Sequence, residues 1–383
     1  MKAYKGFNKD MTCTPNGGKP FQYKEGETYE EPEAYLCKRG FHACLDPLDC
    51  LNYYDICNGV YHEVELDDVF EEHHPEDTKV CGRKIKIGAK LSIKDIVKAS
   101  VDFTMERVKK EGGTNSGDYA KLASSGDYAK LASSGDYAKL ASSGYYAKLA
   151  SSGYYAKLAS SGYSAKLASS GYYAKLASSG DYAKLASSGD NAKLASSGDY
   201  AQLASSGDNA KLASSGDYAK LASSGDYAKL ASSGYSAKLA SSGDSAKLAS
   251  SGDYAKLASS GYYAQLASSG DNAKLASSGD YAKLASSGDY AKLASSGDSA
   301  KLASSGDYAK LASSGKDSVV MSAGIDGKVK AAVGNWIAIA EWKVKDSHFV
   351  PVGIVAAKVD GEKIKADMWY MVKNGQLVEA GEE

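Results

Sequence analysis

Apolar and polar positions follow an unbroken nine-residue period from Gly117 to Ser314. The unit is Gly-Asp-Tyr-Ala-Lys-Leu-Ala-Ser-Ser, and 22 units follow one another without insertion or deletion. A fixed short period is the mark of a solenoid or array. In Tyr119 to Ser124, alternation places Ala120, Leu122 and Ser124 on one face and Tyr119, Lys121 and Ala123 on the other. The next residues, Ser-Ser-Gly-Asp, make a corner, because Gly accepts positive φ and Ser or Asp can bond to nearby backbone. A helix fails on spacing: nine residues make two and a half turns, so successive leucines would point to opposite sides. The pattern predicts a β-solenoid with Leu and Ala inside. A flattened roll of two units per turn would have 18 residues per coil, roughly 11 coils and a length of roughly 50 Å. A squarer coil with more units per turn would be shorter and wider, and the period does not choose between them.

Six of the nine positions are invariant: the Gly, both Ala, the Leu and both Ser. The others vary narrowly. The residue after Gly is Asp in 16 units and Tyr in six. The next is Tyr in 15, Ser in four and Asn in three. Lys gives way only to Gln202 and Gln265. Small and apolar positions are fixed, as an interior requires. Polar and aromatic positions drift, as a surface allows. Like stacks on like, so the tyrosines and lysines should form ladders. One coil cannot hide its own core, so both ends need caps.

The flanks break the period. Over residues 1–88, Lys2 to Phe7, Phe21 to Tyr23, Val60 to Leu66 and Lys84 to Ile87 read as strands. Pro15 to Gly18 reads as a turn and Leu45 to Tyr54 as a short helix. Ser92 with Asp95 is a capping-box-like start to a helix over 93–110. The expected domains are an N-terminal α+β domain over 1–88, a capping or linker helix over 89–116, the solenoid over 117–314, and degenerate end coils with a β-rich cap over 315–383. In the last of these, the frame continues through Gly315 and Gly324. It then resumes at Gly334, with Trp336 expected in the Tyr slot and Ile339 in the Leu slot. Asp360-Gly361 and Asn374-Gly375 signal hairpins. Trp369 and Tyr370 read as core. The fold class is mainly β.

Composition narrows the functions. The net charge of −1 and a hydrophobic fraction of 43% belong to an ordinary water-soluble chain. No apolar run reaches the ~18 residues of a membrane span, and no apolar segment of a signal peptide follows Met1. A cytoplasmic setting is expected. All six cysteines precede residue 82, and without a secretion signal they read as free thiols. The spacing of Cys37, Cys44, Cys50 and Cys57 is too wide for the usual paired zinc ligands, so no metal and no cofactor is expected. His73 and His74 read as a solvated loop. Within the repeats 20 Lys face 16 Asp, a balance too even for mimicry of nucleic acid.

Two resemblances enter on particular residues. Ala3 to Phe7, Gly40 to Cys44, Pro47-Leu48-Asp49 and Tyr53-Tyr54 resemble an uncharacterised N-terminal domain of phage and prophage proteins, which often carry Ser-, Gly- and Tyr-containing repeats after it. Gly40 to Ala43, the helix ending in Tyr53-Tyr54 and the strand Val60 to Leu66 are also similar to the core of ADP-ribosyltransferases. That similarity implies NAD binding with a stacking Tyr, but the first strand has Lys5 where the family has His or Arg. Glu63 and Glu65 stand out of phase with His62.

No nucleophile–base pair, phosphate loop or metal cluster stands out, and no catalytic residue is assigned. The leading expectation is a non-enzymatic, phage- or prophage-derived scaffold that binds a host or phage protein, as an inhibitor or anti-defence factor. A transferase with the solenoid as spacer is the alternative, and a nucleic-acid-binding or nucleic-acid-mimicking solenoid is a third. No membrane contact is expected, and a homo-oligomer through the caps is a further expectation. The expected binding surface comprises Tyr119, Lys121, Tyr128, Lys130, Tyr137, Lys139, Tyr145, Tyr154 and Tyr172.

Overall fold

A computed structural model describes residues 1–14, 19–54, 59–70, 78–92, 95–96, 99–100, 103 and 114–381. The chain is mainly β, with about 3% helix, and its repeats form a β-solenoid of about 12 turns. It divides into two compact units, Met1–Ala210 and Lys211–Glu383. Among the described residues no helix is long and apolar enough to cross a membrane.

The first unit opens with a small antiparallel domain. Its strands are β1 (Lys2–Asn8), β2 (Thr12–Cys13), β3 (Phe21–Gln22), β4 (Thr28–Glu30), β5 (Phe41–Cys44), β6 (Gly59–Phe70) and β7 (Lys79–Leu91). β7 pairs with β5, β5 with β1, β1 with β6, and β6 with β7 again, so four strands close on themselves and β4 adds to β7. Closure removes sheet edges. The core holds Ala3, Phe7, Phe41, Val64, Leu66, Val80, Ile85 and Ile87, all buried. Leu45 to Tyr54 forms a 3-10 helix over Pro47–Asn52 in place of the expected short helix. Asp46 caps it, and Pro at the first position suits a start whose amide has no partner. Ser92 and Asp95 make the expected reciprocal cap: the Asp95 carboxylate accepts from the Ser92 amide and hydroxyl, and Ser92 Oγ accepts from the Asp95 amide. The rest of the 93–110 helix, except 95–96, 99–100 and 103, lies outside the described residues. So do Pro15 to Gly18, Cys57 and His73-His74.

The repeats choose the flattened roll. Lys121–Ser124 pairs in parallel with Lys139–Ser142, and Lys130–Ser133 pairs with Lys148–Ser151, each 18 residues on and in register. Alternate units therefore build two sheets facing one another. Along each strand, Leu and the first Ser point in, as Leu140, Leu149, Ser151 and Ser160 show by their burial. The first Ala, at the end of the corner, is also buried in every unit from Ala138 onward. Every coil repeats the same interior, so each buried Leu adds roughly 1.5–3 kcal/mol by stacking on its copies. The corner Gly is required sterically: a Cβ on Gly153 would fall on the carbonyl oxygen of Gly135, one coil earlier.

The corners occur in two forms. Up to Tyr173 the amide of the third residue donates back one coil, as Tyr137 N does to Asp118 O at 2.7 Å. From Tyr182 to Tyr308 the third residue is left-handed, with φ near 55–59°; in the first unit Tyr182 N donates forward to Asp199 O at 2.8 Å, and in the second Tyr218 N donates forward to Tyr235 O at 2.8 Å. The reversed peptide leaves the amide of the second residue needing an acceptor. The preceding Asp supplies it: Asp199 N donates to Asp181 Oδ1 at 2.9 Å. Left-handed backbone suits Asn far better than most residues, and Asn191, Asn209 and Asn272 all fall in these corners.

In the second unit two parallel sheets start at Lys211–Ser214 and Lys220–Ser223 and end in antiparallel hairpins. Trp336–Lys345 pairs with Val319–Ser322 and with His348–Lys358. Tyr370–Lys373 pairs with Lys328–Ala331 and with Gln376–Glu379. An antiparallel neighbour ends the parallel stack, as a cap must. Two expectations are corrected here. Trp336 stands opposite Val319 and Ile337 opposite Val320, so they take the Lys and Leu slots, and Ile339 takes the inner Ser slot. The cause is Gly334, whose φ of 92° puts it at the left-handed third position of the corner. The long hairpin turns at Asp346-Ser347, both left-handed, and not at Asp360-Gly361. Asp360 instead accepts from the Glu362 and Ile364 amides in a local loop. Asn374-Gly375 does turn a hairpin, Tyr370 is core, and Trp369 is half-buried with Lys330 over its ring.

Candidate functional site

The predicted tyrosines are all exposed, but they do not form one surface. Tyr119, Tyr137, Tyr154 and Tyr172 lie on corners leading into one sheet, Tyr128 and Tyr145 on corners leading into the other. Along the first edge Tyr119, Tyr137, Tyr155 and Tyr173 stack with centroids 5.0, 5.0 and 5.2 Å apart, and Tyr154 stacks on Tyr172 at 5.2 Å. Along the second, Tyr128 stacks on Tyr146, Tyr145 on Tyr163 and Tyr182 on Tyr200. Spacing near 5 Å is the coil repeat itself, so the rings fill their column and present edges and hydroxyls outward. Lys121 and Lys139 are exposed on one sheet, and Lys130 is half-buried on the other.

That second sheet carries a contact that repeat reading missed. The N-terminal domain lies on it, with the 3-10 helix over the lysine ladder. Lys148 Nζ is 3.7 Å from Asp46 Oδ2, and Lys166 pairs with Asp49. Lys184 Nζ donates to Asn52 Oδ1 and to Leu48 O, and Gln202 Nε2 donates to Leu51 O at 3.0 Å. Ammonium groups thus meet two carboxylates and the carbonyl end of a helix, where partial negative charge gathers. Asp46 also accepts from Ser100 Oγ, and Asp49 accepts from Thr78 N and Oγ1. Burial and the neighbouring Lys184 push Lys166 down to about 7, with Asp46 opposing. The one available signal was Gln202, which breaks the Lys column where a carbonyl is the partner.

A cavity of about 560 Å³ opens inside the N-terminal domain. Tyr4, Lys5 and Gly6 of β1, Phe41 to Cys44 of β5, Lys79 of β7, the Phe21–Tyr23 arm, Cys37 to Gly40, and Tyr53-Tyr54 line it. The chain runs bare at Gly6 because a Cβ there would meet the Tyr54 ring, 2.8 Å from Cγ. Tyr54 hydroxyl donates to Cys13 Sγ at 2.9 Å. Burial raises Tyr23 and Tyr54 far above the usual phenol range, and it lifts Cys81 to about 11. Lys5 is buried, and its Nζ donates to His42 O at 2.9 Å. His42 Nε2 accepts from Cys37 N at 2.9 Å. Burial, with Lys79 and Lys5 nearby, lowers His42 to about 4, so the ring is neutral at pH 7. Glu63 and Glu65 do not line the cavity; they pair outside with Lys2 and Lys86. Cys13, Cys37, Cys44, Cys50 and Cys81 are free thiols.

Fold and site define a β-solenoid repeat protein that carries a small, cavity-bearing β domain at its N-terminus. That domain, over residues 1–99, matches the family described as Domain of unknown function (DUF7666). No curated protein matches the chain. No solved structure matches it either.

Proposed function

We propose that the chain is a non-enzymatic, phage- or prophage-derived scaffold that holds a protein partner on its tyrosine columns. The partner is a protein of the host, and the scaffold acts on it as an inhibitor. The observation that carries this reading is the exposed, pre-stacked tyrosine columns over residues 119–200. Tyrosine supplies large contact area at low conformational cost and a hydroxyl at its tip. Stacking fixes the rings before any partner arrives, which reduces the ordering cost of association. A photo-crosslinking residue placed at Tyr145 and, separately, at Lys301 on an exposed ladder position tests it in host lysate. Crosslinking of one defined protein from position 145 and not from 301 is expected. The quadruple change Tyr137→Ser, Tyr146→Ser, Tyr155→Ser and Tyr173→Ser should abolish that crosslink while the thermal midpoint holds, since Ser already occupies the third slot in four units. Capture that survives the quadruple change, or capture of nucleic acid in place of protein, overturns it.

A further inference from the structure

The cavity of the N-terminal domain has a chemistry that the scaffold reading does not use. Its volume falls within the roughly 300–1,000 Å³ usual for small-molecule sites. Its walls are strongly aromatic, with Tyr4, Phe21, Tyr23, Phe41, Tyr53 and Tyr54 among the lining residues. Its charge is one-sided. Lys5, Lys38, Arg39 and Lys79 line it, against one carboxylate among the described lining residues, Glu31, which Arg39 Nε engages at 3.6 Å.

Lys5 is the telling group. Its residue is 8% exposed, yet no carboxylate lies within ion-pair distance of it among the described residues. Its ammonium has three protons and one hydrogen-bond acceptor, the backbone carbonyl of His42, and sits 5.6 and 5.7 Å from the Phe7 and Tyr23 ring centres. Burying a cation without a counter-charge is costly. Lys79 brings a second ammonium to the same space, 4.3 Å over the Tyr53 ring and 3.5 Å from Cys37 Sγ. Since His42 accepts the Cys37 amide at Nε2, its proton resides on Nδ1, and the ring also faces the Tyr35 and Gly40 carbonyls.

We propose that this cavity binds a small aromatic phosphate ester of nucleotide size. Its phosphate sits on the Lys5 and Lys79 ammoniums, and its ring lies against Tyr23 and Tyr53. Two converging cations match a dianion better than a single carboxylate, and rings stacked beside cations suit a planar body. This inference stands apart from the tyrosine-column reading, and either can fail without the other.

Titration calorimetry of the full chain at low ionic strength tests it with four probes: adenosine monophosphate, adenosine, inorganic phosphate and benzoate. Saturable one-to-one binding of the monophosphate is expected, at least tenfold tighter than each of the other three, and weakening as salt rises. Lys5→Met should reduce that affinity at least tenfold, while Lys121→Met leaves it unchanged. Should Lys5→Met fail to fold, Lys79→Gln and Tyr53→Leu serve, since both side chains reach the cavity from its rim. Each should lower affinity at least threefold with an unaltered thermal midpoint. The proposal falls if the monophosphate shows no saturable heat, if phosphate alone or benzoate binds equally well, or if the Lys79 and Tyr53 variants bind as the parent does.

Discussion

Between Lys139 and Ser196 the same four residues, Lys-Leu-Ala-Ser, meet two different environments. On one sheet Lys157, Lys175 and Lys193 and the alanines two places on, Ala159, Ala177 and Ala195, are exposed. On the other Lys148 and Lys166 are half-buried, Lys184 is buried, and Ala150, Ala168 and Ala186 are 1–3% exposed. The strands do not differ, so their neighbours must. The N-terminal domain supplies Asp46, Asp49 and a helix end, and these convert three ordinary surface lysines into an ordered contact row. A perfect repeat therefore specifies its interior completely and its exterior only up to what lands on it. Regularity serves the docking domain, because a ladder of ammoniums one coil apart offers equivalent partners in sequence.

The comparison can be broken most severely from inside, where both sheets share one core. Leu158→Asp buries a carboxylate at a site 1% exposed and should cost about 4–5 kcal/mol in thermal or denaturant unfolding. Tyr155→Ser, outside, should cost less than about 1 kcal/mol. Equal effects would overturn the assignment of faces. Next in size is a matched pair of charge reversals. Lys166→Glu sets two carboxylates together in a buried contact and should weaken docking by about 3–5 kcal/mol. Lys157→Glu on the open sheet should stay within about 0.5 kcal/mol. Hydrogen exchange over residues 41–54 reads the difference, and protection that survives Lys166→Glu would contradict the contact row. Smaller again is the alanine pair. Ala150→Gln should overpack the covered sheet by about 1–3 kcal/mol, whereas Ala159→Gln should be silent by the same exchange measurement.

The smallest effect is a pH dependence confined to the N-terminal domain. Unfolded, His42 binds a proton near its ordinary 6.5; folded, it does so only near 4. Between those values the unfolded chain holds more protons, so stability falls as pH drops from 6.5 to 4. After discounting for partial exposure the loss is about 1–2 kcal/mol. His42→Gln should flatten that part of the profile in denaturant titrations, and an unchanged slope would refute the assignment.

Much of the solenoid is legible in the sequence because its physics is local and repeated. Alternation sets the Leu face, Ser-Ser-Gly sets the corner, and 22 identical lengths force like onto like. Coil size was left open, since a nine-residue period fits two or more units per turn, and pairing 18 residues apart resolves it. The frame slip at Gly334 was hidden because a Gly can lead a corner or occupy its left-handed position. The Asp346-Ser347 turn was hidden because two non-glycine residues adopt left-handed backbone there. The docking row could not be read from lysines that are the same on both sheets. The cavity was equally invisible. Lys5, His42, Tyr53 and Lys79 come from separate strands and a helix end, and no spacing along the chain announces their meeting.

Two-unit coils also give copy number an arithmetic. Gain or loss of a pair of units leaves every ring in its own column. Loss of a single unit transfers all downstream rings to the opposite edge and splices the two columns. Deleting Gly162 to Ser170, for example, removes Ser164 and places Tyr173 after Tyr128 and Tyr146, while Tyr182, Tyr200 and Tyr218 follow Tyr119, Tyr137 and Tyr155. A column of six tyrosines results, with no change to the Leu and Ala lining. Recombination between near-identical coding units would therefore redeal the outer aromatic pattern by parity alone, at almost no thermodynamic cost to the interior.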